Sequence, residues 1–107
     1  MTATPCAQII ALNGLINYQD GSIVSRVILK AETGNVTLFA FAQGQELSEH
    51  SAPFDALVQV LDGETEIKIS GTPYIVRSGE AIIMPANDPH AVKAVKPFKM
   101  LLTMIKN

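Results

Sequence analysis

The sequence is short of reactive side chains. It has one cysteine and two histidines in 107 residues. Cys6 on its own can form no internal disulfide, so a disulfide framework is excluded as the source of stability. No histidine lies near it in sequence to draw off its proton, which argues against a nucleophilic thiol. No GxGxxG or Walker pattern is present, and Gly44, Gly63, Gly71 and Gly79 read as turn glycines rather than a phosphate cradle. Eight basic residues stand against ten acidic ones, a net charge of -2, with no block of like charge and no basic patch interleaved with aromatics. That balance offers no steering field for nucleic acid or an anionic membrane. No apolar run approaches the length of a membrane span, and no basic region precedes the first apolar stretch. The expectation is a cytoplasmic soluble protein with neither nucleic-acid nor membrane partners.

What the chain does have is apolar, β-branched sequence cut into short pieces. Its hydrophobic fraction is 48%, high for one small domain, and residues 1–107 are read as a single domain with residues 1–8 loose. Residues 9–16 fit a short helix or a strand equally well. Asp20-Gly21, Asp62-Gly63, Gly71-Thr72-Pro73 and Ser78-Gly79 are turn signals, and a further turn is expected around Gly34. Between them, strands are predicted over 22–30, 36–42, 46–50, 56–61, 64–70, 74–77, 81–84, 90–95 and 98–105. Phe39 and Phe41 fall on one face, Leu38 and Ala40 on the other. Residues 64–70 alternate most cleanly, with Thr65, Ile67 and Ile69 facing a core. Regularly spaced short strands mean an all-β sandwich or barrel. Several strands are apolar on both faces, so the second face needs a cover from a second sheet or a partner subunit. A homodimer is expected on that ground.

Both histidines sit at the polar end of an apolar run. The first stretch is GQELSEHSAPFDALVQVLDG, from Gly44 to Gly63, and the second is GEAIIMPANDPHAVKA, from Gly79 to Ala94. In order and spacing they resemble the two motifs of the cupin superfamily. Gly44, His50 and Gly63 match the first motif, and Gly79, Pro85 and His90 match the second. The resemblance covers about residues 36–105, and it implies a double-stranded β-helix, or jelly-roll, barrel that is usually dimeric. The departures are specific. The family's second histidine falls on Ala52, its glutamate on Ala56, the second glycine of PxG on Asn87 and the final asparagine on Ala94.

Of the family's four usual metal ligands only His50 and His90 remain. The resemblance therefore implies at most a weakly held divalent ion (zinc, nickel, manganese or iron) on this pair. Asp55 or Asp88 could add a carboxylate, though Asp55 faces the other way if the strand already extends to it. Without a metal, the two imidazoles could act as acid and base, or simply bond to backbone and water. The expected pocket is formed by His50, His90, Ala52, Ala56, Phe39, Phe41 and Met84. The expected function is binding of an unidentified small molecule in the barrel. The alternative is an enzyme of the dioxygenase, isomerase or decarboxylase type.

Overall fold

The computed structural model describes residues 6–106. Residues 1–5 of the segment expected to be loose lie outside them. Nine strands follow a short 3-10 turn at Leu12–Gly14: β1 Ile23–Ala31, β2 Gly34–Phe41, β3 Glu46–His50, β4 Phe54–Asp62, β5 Glu64–Ile69, β6 Thr72–Arg77, β7 Ala81–Met84, β8 His90–Ala94 and β9 Phe98–Lys106. They form a five-stranded sheet in the order β1-β2-β9-β4-β7 and a four-stranded sheet in the order β3-β8-β5-β6. All pairings are antiparallel. This is the all-β sandwich expected from the turn spacing, in the jelly-roll form that the resemblance implies. Among the described residues no helix is long and apolar enough to cross a membrane.

The alternation read from the sequence decides the layers. Phe41, Val58, Val60, Phe98 and Met100 from the larger sheet meet Ile67, Val76, Val92 and Ala94 from the smaller one in a single core. Phe41 and Phe98 stack there with ring centroids 4.6 Å apart. Each large side chain removed from water contributes about 1.5–3 kcal/mol. Thr65 is the polar exception in this cluster, fully buried, and its hydroxyl donates to the Lys93 carbonyl at 2.8 Å, so it is not left unpaired. Pro73 lies in β6, an edge strand, where a missing N–H costs no ladder bond.

The opposite face of the larger sheet is covered differently from expectation. Residues 9–16 form neither a regular helix nor a strand. After the 3-10 turn the chain runs over the outer face, and Ile16 packs on the fully buried Leu38 and Ala40. Arg26 donates to the Leu15 carbonyl at 3.4 Å, Lys99 donates to the Asn13 carbonyl at 2.6 Å, and the Tyr18 hydroxyl donates to Asp62. Part of the cover thus comes from the chain itself, not from a second sheet or a partner. The rest of that face stays open. Leu29, Val36, Thr103, Leu57 and Ile83 are register partners in one row across all five strands. Leu29 and Ile83 are more than 60% exposed. The turn expected around Gly34 falls on Glu32 and Thr33 instead, and Gly34 opens β2.

Gly63 and Gly79 both take positive φ, +76° and +86°, but their surroundings differ. A Cβ on Gly63 would overlap the Pro97 carbonyl oxygen and come within 2.9 Å of Phe98 Cα, whereas one on Gly79 meets open space. Gly79→Ala should cost only the left-handed penalty, about 1–2 kcal/mol. Gly63→Ala should cost clearly more, since backbone of the β8–β9 connection must move. Urea unfolding of the two variants checks this; equal losses would contradict it.

Candidate functional site

The two motif strands, β3 and β8, are hydrogen-bonded neighbours, and His50 stands directly opposite His90. Reaching that pairing needs a slip in register. Between Leu47↔Val92 and His50↔His90, β3 advances three residues while β8 advances two. Side chains alternate with period two, so without the extra residue Glu49 would face inward and His50 outward. The slip puts Leu47, His50, His90 and Val92 on one side. The rings meet edge-on, with centroids 4.5 Å apart and planes at 69°.

Each ring is oriented by backbone two residues before it. His50 Nδ1 lies 2.8 Å from the Ser48 carbonyl oxygen, and His90 Nδ1 lies 3.3 Å from that of Asp88. A carbonyl can only accept, so Nδ1 carries the proton in both rings. In the neutral ring this makes Nε2 the acceptor. His90 is buried and His50 is exposed at the mouth. Burial, with the His50 ring beside it, pushes the His90 imidazole below its ordinary value; the Asp88 carbonyl offsets part of this.

A cavity of about 70 Å³ lies against the pair, lined also by Leu47, Ala52, Phe54, Ala56, Met84, Val92, Met100, Leu102 and Met104. The structure therefore brings together His50, His90, Ala52, Ala56 and Met84. Phe39 and Phe41 do not line it. Phe41 lies opposite Phe98, at the far end of β9 from Met104, and Phe39 lies opposite Met100. Alternation gave their face but not their depth along the strand. Leu47, Phe54, Val92, Met100, Leu102 and Met104 were missed, although the inward parity of 100, 102 and 104 on β9 carried the signal for three of them.

The motifs are stitched together at both ends. Gly44 N donates to the Ala94 carbonyl at 3.0 Å, and Ala94 N to the Gln45 carbonyl at 2.9 Å. At the other end Asn87 N donates to the Ala52 carbonyl at 2.8 Å, and Ala86 N to Asp55 Oδ1 at 2.9 Å. Asp55 is thus spent on the loop, and it points away from the cavity. Asn87 has φ of 68°, the conformation of the glycine it replaces, which asparagine tolerates.

A domain model described as a cupin domain matches residues 37–105. The chain is a cupin. Its fold is similar to that of a conserved protein of unknown function from Streptococcus pyogenes, at 34% identity and TM-score 0.92, over 100% of this chain and 96% of that one. It is also similar to a cupin 2 conserved barrel domain protein from Leptotrichia buccalis, at 43% identity and TM-score 0.85, over 88% of this chain but 46% of that one. A cupin superfamily protein from Desulfitobacterium hafniense shares the fold at 24% identity, with TM-score 0.91 over 99% of this chain and 97% of that one. No curated protein matches the sequence. The cupin's two imidazoles have no carboxylate or third nitrogen with them: no group of three or more His, Cys, Asp or Glu suited to a metal occurs among the described residues. They do not fit the family's four-ligand divalent site.

The lowered pKa of His90 has a sign that can be tested. In the native state His90 stays neutral below the ordinary 6.5, so unfolding takes up a proton there. The stability from this residue is fully present above 6.5 and is lost as pH falls through the lowered native value. His90→Gln should flatten the fall in melting temperature between about pH 7 and pH 5. An unchanged slope would contradict it.

Proposed function

We propose that this cupin binds a small molecule with a hydrogen-bond donor head and a short apolar body, with the head at the histidine pair. The observation that carries this is the pair of Nδ1–carbonyl contacts, which leaves two Nε2 acceptors at the end of an otherwise apolar cavity. A buried acceptor rewards a matching donor and rejects an analogue that lacks it. At about 70 Å³ the cavity holds roughly two waters' worth of volume. A larger body needs side chains to swing, and flexible thioethers serve for that. Both imidazoles are oriented by neutral carbonyls, without the carboxylate that would raise a general base, and this favours binding over acid–base catalysis. NMR of the methionine methyls and histidine ring protons, titrated with short alcohols, phenols, carboxylic acids and sugars, tests the reading. Alcohols or phenols should shift Met84, Met104 and His90 signals saturably. No saturable shift with any of the panel would sink it.

The open apolar row on the larger sheet supports a homodimer, each copy laying Leu29, Val36, Leu57 and Ile83 on its partner's. The row is free of charge and spans the sheet, which suits a face packed on its own copy. Sedimentation should give twice the 11.5 kDa chain mass, and Ile83→Glu should give a monomer. A native protein that sediments as a monomer at micromolar concentration would refute the dimer.

A further inference from the structure

The cavity has a second chemistry that its histidines alone do not reveal. Three of the chain's four methionines line it: Met84, Met100 and Met104. Two of them hold a particular place. Ala56 has Met84 as its register partner on β7 and Met104 as its partner on β9. A short side chain at 56 is thus flanked on both sides by thioethers that point to the same face. His50 and His90 close the same cavity, with Nε2 the acceptor of each neutral ring. The donor-bearing side chains that line the cavity are therefore two imidazoles and three thioethers, with no carboxylate.

We propose that this cavity is a soft-metal site that takes Cu(I), held by Nε2 of His50 and His90 and by the thioethers of Met84 and Met104. Thioether ligands select Cu(I) among the biological first-row ions, while carboxylate, carbonyl and water suit harder divalent ones. Cu(I) is content with two to four ligands and imposes no octahedral or charged donor set. The desolvation cost of an ion rises with the square of its charge, so a monovalent ion enters this apolar cavity far more cheaply than a divalent one. Nδ1 of each histidine is bonded to backbone in the manner usual for metal-bound imidazole, which leaves Nε2 to ligate. The inference rests on the same cavity as the binding function above, but not on the occupant being an organic molecule.

Cys6 is exposed and is another soft donor, so the test starts from Cys6→Ser. Under anaerobic conditions with ascorbate, Cu(I) is titrated in competition with a chromogenic Cu(I) chelator. One equivalent should bind, and excess Zn(II) should not displace it. Met84→Leu and Met104→Leu conserve volume and should leave folding intact, yet each should weaken Cu(I) binding about tenfold or more. X-ray absorption of the Cu(I) protein should show sulfur beside nitrogen in the coordination shell. Unchanged affinity in both methionine variants, displacement by stoichiometric Zn(II), or a shell without sulfur would each overturn the proposal. A phenol or alcohol that still binds the Met→Leu variants after copper binding is lost would separate the two occupants, so that either reading can fail alone.

Discussion

The register slip between β3 and β8 is the constraint on which the site depends. Period-two alternation puts Leu47 inward and would send His50 to solvent. One extra residue before His50 reverses its side and sets it opposite His90. Everything else about the pair follows from backbone. The Ser48 and Asp88 carbonyls accept from the two Nδ1 atoms, which makes Nε2 the acceptor of each neutral ring. The motif ends are then held by bonds from Gly44 to Ala94 and from Asn87 to Ala52. The histidines are placed by main chain, which explains how the site keeps its shape although alanine stands at 52 and 56.

Alanine at those positions changes what the cavity is made of. Ala56 sits between Met84 and Met104, and these long, flexible side chains are free to occupy space that a carboxylate would hold. The result is a small cavity with apolar walls, one imidazole buried against it and one at its mouth. Such a cavity rewards a donor group or a soft, low-charge ion and penalises a bare divalent one. His90 shows the same balance from the protein side, because burial beside a second imidazole favours its neutral form.

Much of the fold was legible in the sequence because alternation is a local signal. Phe39 and Phe41 against Leu38 and Ala40, and Thr65, Ile67 and Ile69 on one face, were readable residue by residue. The two histidine stretches were legible through glycine and proline spacing, and Ala52, Ala56 and Met84 fall around the cavity with them. Three things were not legible. A bulge leaves no residue signature in SEHSA, so the slip that turns His50 to the inner side could not be read there. Depth along a strand is not periodic, so Phe41 was given the right face and the wrong end, and Phe39, opposite Met100, stops short of the lining. The cover over Leu38 and Ala40 is a tertiary contact by Ile16, which local pattern around residues 9–16 cannot anticipate.

The central claim is that positions 52 and 56 face the Nε2 atoms of His50 and His90 across one cavity. Calorimetric titration with Mn(II), Ni(II) or Zn(II) of the native protein and of the double variant Ala52→His, Ala56→Glu tests it most directly. Two added ligands aimed at the same point should raise divalent affinity by about tenfold or more. Equal affinity in a folded double variant would show that the four positions do not converge, and would contradict the account.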